Sequence, residues 1–392
     1  MFAFEWIEKG IEFKMNSNQK KFGIYVFLST FSRNLIEVFI PVILYKNGFA
    51  LKEVLFYYLM ANVISLIISY PFINFSKKYN NKILSIIGII AFVVLQILLN
   101  FIKHNIAYLF VLATFFATYR RGYWIARRYY NLKIIKNEKI STTYSIISII
   151  NQVGVIISAY CGSIILDFIS LKLLTIIAII LFLISIIPLH LLKFKHENTN
   201  EKLKISETIK KIPKSDIYLF GSYELLNVVK FLIPLYIFIY VKNTYQTIGI
   251  VNLITNLALI IFTYLFGKRL DNSKNSYLRL SIILVVAIYI FKVNTFGFML
   301  FIVSFIEGIF VKMYELSINT QFYTLSKKFE YSNYNLVYEI VQNSFRSFVV
   351  FILLLSSFDL KTMIYITLGF IAFGVFLRFK QEVRWNKGFS MS

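Results

Sequence analysis

Apolar runs long enough to cross a bilayer recur along the whole chain, separated by short polar and mostly basic connections. About 20 apolar residues in a helix span roughly 30 Å of hydrocarbon. On that measure the sequence predicts twelve spans: 22–45, 53–75, 83–102, 106–126, 142–166, 171–192, 216–241, 246–267, 277–293, 295–318, 334–357 and 361–379. The first organises the others, because it carries Arg33 and Glu37 near its middle. A charge there costs about 3 kcal/mol or more unless it meets a partner or a water-filled cavity. Arg33, Glu37 and Pro41 are spaced i, i+4, i+8, so a continuous helix puts them on one face. Two readings fit that face: an ion pair that fixes helix packing, and the lining of a polar pathway.

Between spans six and seven lies the one long internal polar stretch, 193–214, which reads as a solvated charged linker. It divides the chain into a 1–21 tail, a six-helix unit at 22–192, a second at 215–379, and a tail at 380–392. In the first tail, Phe2, Phe4, Trp6, Ile7, Ile11 and Phe13 among charged residues suit an amphipathic interfacial turn or helix. The run after it is too long for a signal peptide and lacks a small-residue cleavage site, so it stays as the first span. Twelve spans put both termini on one side of the membrane. Roughly 29 of the 42 Lys and Arg residues fall on that side, against about 7 on the other, which makes it cytoplasmic by the positive-inside rule.

The two halves repeat each other at a shift of 191 to 194 residues. FIPVILYKN around Pro41 is echoed by FLIPLYIFIYVKN around Pro234, and ANVISLIISY by TNLALIIFTY, which pairs Asn62 with Asn256. Asn151 and Gln152 in span five correspond to Gln342 and Asn343 in span eleven. Parallel repeats of this kind place a binding site between the halves, near the midplane. FSKKYNNK follows span two and GKRLDNSKN follows span eight. Twelve spans, a six-plus-six repeat and a basic loop after spans two and eight resemble the major facilitator superfamily. In that family the loop reads Gly-x-x-x-Asp-Arg-x-Gly-Arg-Arg and gates the cytoplasmic side. Gly267 and Asp271 keep the Gly-x-x-x-Asp part, Asn272 replaces the basic residue, and Lys77 stands where the first-half Asp belongs, followed by Lys78 and Lys82. The resemblance implies an all-α membrane protein, two six-helix bundles about a pseudo-two-fold axis, with gating at Lys77, Lys78, Gly267 and Asp271. Family antiporters often carry Gly-x-x-x-Gly-Pro-x-x-Gly-Gly on span five. Here VGVIISAYCGSIILD has Gly154 and Gly162 and no Pro, which weakens a drug-antiporter reading.

Composition narrows the chemistry. Hydrophobic residues make up 58% of the chain and charged residues 16%, with mean hydropathy +0.68, so this is a polytopic membrane protein. The formal charge of +23 is spread between apolar runs and forms no single patch, which argues against nucleic acid. Cys161 stands alone and cannot form an intramolecular disulfide, while His104, His190 and His196 are scattered without metal-ligand spacing. No metal and no cofactor is expected. No Ser or Cys nucleophile has a nearby base and no Gly-rich phosphate loop is present, so an enzyme is disfavoured.

The candidate site residues are the polar side chains inside the spans. In span four Arg120, Trp124 and Arg127 share a face, and Arg121 and Arg128 the next. Adjacent Arg120 and Arg121 point about 100° apart, so at most one aims squarely at a cavity and the other needs a carboxylate or carbonyl. Arg127 and Arg128, near the predicted helix end, are expected to snorkel to lipid headgroups. Glu339, Gln342 and Arg346 form one stripe, Glu224, Asn227 and Lys230 wind around span seven, and Lys312 pairs with Glu315. Glu307 has no partner in its own helix. The substrate-binding set is therefore Arg33, Arg120, Arg121, Trp124, Asn151, Gln152, Asn227, Lys230, Gln342, Asn343 and Arg346. Glu37 and Glu307 are the proton-coupling candidates, since a carboxylate in a dry cavity titrates near neutral pH. The function expected is secondary transport of a small anionic or zwitterionic solute by a monomer in the cell membrane, coupled to protons or another ion. Drug efflux and lipid or lipid-linked solute flipping on the same scaffold are the alternatives.

Overall fold

In the computed structural model, which describes residues 15–134, 140–194, 203–266 and 276–389, the regular structure is entirely helical among the described residues. Twelve rods follow one another there: α1 Ser17–Lys46, α2 Leu51–Lys78, α3 Asn81–Leu98, α4 Ile106–Ile134, α5 Ile140–Phe168 and α6 Leu171–His190, then α7 Lys214–Val241, α8 Tyr245–Phe266, α9 Ser276–Lys292, α10 Phe298–Lys328, α11 Tyr331–Leu355 and α12 Leu360–Phe389. Nine of the described helices are long and apolar enough to cross a membrane. The other three are α4 and α10, which carry charges mid-helix, and α9, whose apolar stretch Leu280–Lys292 is short. Gly267, Asp271 and the interfacial segment Phe2 to Phe13 lie outside the described residues.

Helix ends differ from their predicted positions for a common reason. Hydropathy ends a span where polar residues begin, whereas a helix ends where its backbone loses partners. α1 starts at Ser17, five residues early, because the Asn16 and Gln19 side chains cap one another's backbone N–H groups at 2.9 and 2.8 Å. α4 and α10 run on to Ile134 and Lys328, since their polar ends face protein instead of lipid. α12 likewise continues into the segment expected to be a tail.

The first span is not the continuous helix its spacing suggests. Its α-helical ladder stops at Asn34, a 3-10 turn covers Glu37–Phe39, and the helix resumes at Ile40. Pro41 supplies the cause, lacking an N–H and crowding the carbonyl four residues back, which belongs to Glu37. Pro234 stands at the matching place in α7, where the α-helix runs through it to Tyr236. The proline leaves the Lys230 carbonyl without a helical donor, and the helix widens into a π turn at Ile237–Val241.

Packing follows the repeat. α3 packs on α4, α2 on α4, and α1 on α5 and α6; the same partnerships recur as α9 on α10, α8 on α10, and α7 on α11 and α12. The halves meet along two seams, α2 with α11 and α5 with α8, which the pseudo-two-fold exchanges. Close approach inside a half rests on glycine: a Cβ on Gly122 would lie 2.7 Å from the Leu84 carbonyl oxygen. The large apolar side chains that stay exposed, such as Ile67, Ile90, Ile180, Phe298 and Phe376, form the lipid-facing surface.

Polar contacts cross between the halves at both ends. On the face where α1 begins, Lys77 at the end of α2 pairs with Glu330 at 3.2 Å, and Asn131 Nδ2 donates to the Tyr323 hydroxyl at 2.8 Å. Slightly deeper, Arg121 and Arg128 of α4 both hold Glu339 of α11, which is fully buried. At the opposite face Asp167, ending α5, accepts hydrogen bonds from the Tyr245 and Gln246 N–H groups at 3.1 and 2.6 Å and so caps α8 across the seam. The linker is less free than its composition suggests. Helix Ile205–Lys211 packs on α11, and the Lys204 N–H donates to Asn333 Oδ1 at 2.8 Å.

Two stability outcomes follow from this packing. Gly122→Val should cost about 2 kcal/mol or more through backbone collision, seen as a lower thermal midpoint of the detergent-solubilised chain; an unchanged midpoint would contradict the close α3–α4 approach. Glu339→Gln should cost about 3–5 kcal/mol by leaving two buried guanidiniums unpaired, and adding Arg121→Gln and Arg128→Gln should recover most of that loss. Three additive losses would show that the cluster is not a unit.

Candidate functional site

Between the halves lies a cavity of about 470 Å³, within the range of about 300–1,000 Å³ usual for small-molecule sites. The break in α1 and the start of the π turn in α7 open onto it, since Pro41, Pro234 and Ile237 are on its wall. Irregular backbone at membrane depth is tolerated where it lines such a space.

The first half contributes a cationic wall. Arg33 Nε lies 3.1 Å from Glu37 Oε2, and the Tyr119 hydroxyl bridges the pair at 3.4 Å to each. The ion pair predicted from the i, i+4 spacing therefore exists across the helix break and also lines the cavity. Arg120 donates to Asn62 Oδ1 at 2.9 Å from within the cavity wall, while its neighbour Arg121 turns to Glu339. Adjacent positions on α4 thus divide as their 100° separation requires. Trp124 sits between the guanidiniums of Arg33 and Arg127, 5.1 and 5.0 Å from its ring centroid.

The expected snorkelling of Arg127 and Arg128 does not occur. Arg127 is 5% exposed and donates to Asn151 Oδ1 at 2.7 Å and to the Tyr123 hydroxyl at 2.9 Å. Arg128 reaches Asn335 and Glu339 of the other half. Partners from α5 and α11 keep both side chains inside, and neither helix is near them in sequence.

The second half is closer to charge balance. Glu224 collects Asn227 and Gln342, each at 2.6 Å, and Arg346 at 3.4 Å, so the stripes of α7 and α11 merge into one network. Lys230 stands exposed to the cavity. Glu307 has no partner in its own helix, as its spacing implies, and is bound by Lys292 at the end of α9. Lys312 keeps its expected pair with Glu315 at 3.0 Å and also binds Ser148 across the seam. Gln152, Asn227 and Gln342 line the cavity, but Asn343 does not: it is fully buried, donating to the Glu339 carbonyl at 2.7 Å and accepting from Arg346 at 3.1 Å. Lys77 is buried in its pair with Glu330 and Lys78 is exposed.

The candidate sets read from the sequence left out five charged wall residues, namely Arg127, Arg128, Glu224, Lys292 and Glu315. Lys292 was legible only as a charge near a span end, and Arg127 also through the face it shares with Arg120 and Trp124. Among the described residues no three His, Cys, Asp or Glu side chains gather closely enough to hold a metal ion.

Comparison with known proteins agrees with this architecture. Residues 22–241, more than half of the chain, match the sequence model of the Major Facilitator Superfamily. The chain is similar in structure to a bacterial homologue of the iron transporter ferroportin in an outward-facing state, with TM-score 0.65 and 12% identity over 94% of this chain and 100% of that one. It is also similar to a bacterial ferroportin homologue solved in the outward-facing state with soaked iron, with TM-score 0.68 and 13% identity over the same shares. No curated protein matches. At such identities the likeness is one of fold. Two six-helix halves, a shared cavity at their interface and the match over residues 22–241 together mean that this membrane transport protein belongs to the Major Facilitator Superfamily.

Proposed function

We propose that the chain is a secondary transporter of a small organic anion or zwitterion, working by rocking of the two halves about the central cavity. The supporting observation is the charge of the wall, which carries eight Arg and Lys side chains against four Glu. Each of those carboxylates already has a cation: Glu37 has Arg33, Glu224 has Arg346, Glu307 has Lys292 and Glu315 has Lys312. A surplus of fixed positive charge in a low-dielectric chamber favours an anionic cargo and opposes a bare metal cation. Iron, named for the ferroportin homologues, is for that reason not carried over to this chain.

In this reading the face where α1 begins is cytoplasmic and the protein lies in the cell membrane, in keeping with its Lys and Arg excess. The cross-half contacts of that face then form the inner gate, with Lys77 and Glu330 its outermost pair. Glu37 is the better-placed proton carrier. Its side chain is 25% exposed and faces the cavity, and protonating it would release Arg33 toward the cargo. Glu307, 7% exposed and bound by Lys292, has the weaker case.

Proteoliposomes with an imposed pH gradient test this. Organic anions should accumulate against their own gradient, and Glu37→Gln should abolish gradient-driven accumulation while leaving anion exchange. Accumulation unaffected by collapsing the pH gradient would remove proton coupling, and scrambling of labelled lipid without anion transport would replace this reading by a flippase.

A further inference from the structure

Five of the eight cationic side chains on the cavity wall touch a carboxylate: Arg33, Arg121, Arg128, Lys292 and Arg346. Arg120, Arg127 and Lys230 do not share that arrangement. Arg120 is held by the neutral Asn62, and Arg127 by Asn151, Tyr123 and Thr30. Glu37 and Glu224 act on Arg120 only at longer range, and both are already in contact with other arginines. Arg127 is 5% exposed, and its Nε has no hydrogen-bond partner. A buried guanidinium held only by neutral groups lacks a counter-charge, and the space beside it is where one can be supplied.

Arg120 and Arg127 are seven residues apart on one face of α4, with Trp124 between them. Seven residues of helix rise about 10 Å, too far for one carboxylate to serve both forks. The neutral partners Asn62 and Asn151 hold the guanidiniums in place without neutralising them, and a guanidinium matches a carboxylate or phosphate through paired N–H donors. Lys230 lines the same cavity from the other half, and Glu224 and Glu315 act on it only at longer range, being in contact with Arg346 and Lys312.

From this spacing we infer that the cargo is an organic dianion with two separate anionic groups, one against Arg120 and one against Arg127, with Lys230 lining the same cavity from the other half. The inference rests on the anion-transporter reading and specifies its substrate class. It also explains why Arg127, at a position where a lipid-facing arginine would reach the headgroups, is drawn inside. A dianion that touches α4 and α7 together joins the two halves only when bound.

The test uses the purified full-length chain and thermal-shift titration with four- to eight-carbon α,ω-dicarboxylates. Monocarboxylates of equal length, a phosphomonoester with no second anionic group, and α,ω-diamines serve as comparisons. Dicarboxylates should bind roughly tenfold tighter than matched monocarboxylates, with an optimum chain length. Arg120→Gln and Arg127→Gln should each reduce dicarboxylate binding to the monocarboxylate level, and Arg127→Lys should retain part of the preference. Folding of each variant is checked by its unliganded midpoint, and if Arg127→Gln does not fold, Arg120→Gln with Arg127→Lys decides. Equal binding of mono- and dicarboxylates, tighter binding of the phosphomonoester, or variants that keep the full preference would overturn the dianion while leaving an anion transporter. Binding of diamines alone, or of none of these anions, would overturn both.

Discussion

Charge buried within a membrane must find an opposite charge, a set of dipoles or water, and this chain meets that requirement partly inside each half and, at one level, across the boundary between them. Glu339 is the centre of it. Fully buried on α11, it receives Arg121 and Arg128 from α4, so the two bundles cannot separate at that level without exposing three ions. The same logic extends outward through Asn131 with Tyr323 and Lys77 with Glu330. Lys77 is where the family pattern has a carboxylate in the loop after span two. Its partner here is an acid, Glu330 of the other half.

The two seams are related by symmetry, but their polar fastenings sit at opposite ends. On the α2–α11 seam they cluster at the face where α1 begins, and on the α5–α8 seam Asp167 caps α8 at the other face. A cavity between two such sets suits alternating access as proposed, because one set can part while the other holds. The prolines add a second correspondence. Pro41 and Pro234 free the carbonyls of Glu37 and Lys230, which occupy matching places in the two repeats and carry opposite charges on the same wall. The repeat has kept the backbone device and changed the side chain it presents.

Much of this was open to sequence reasoning because it depends on local pattern. Twelve spans, the six-plus-six repeat and the Arg33–Glu37 and Lys312–Glu315 pairs follow from run length, self-similarity and helical spacing, and each involves residues close in the chain or equivalent by repeat. The helix break before Pro41 was legible in principle, since proline forbids the ladder that a shared i, i+4, i+8 face assumes. Arg127 and Arg128 were misplaced because their surroundings are set by distant helices, and Asn343 because its own helix, through Glu339 and Arg346, takes up its amide. Hydropathy sees an arginine near a span end and expects headgroups, whereas Asn151 and Glu339 wait for these two inside.

The amino-acid sequence alone determined that the chain lives in a bilayer, how many times it crosses, and which helices carry ions, since hydrophobic length and charge are properties of contiguous residues. Only the tertiary structure decided which ions on different helices neutralise one another, because partners such as Glu224 with Arg346 and Arg121 with Glu339 become neighbours through helix packing alone. That pairing left Arg120 and Arg127 with neutral partners on the cavity wall, and so set the charge of the space between the halves.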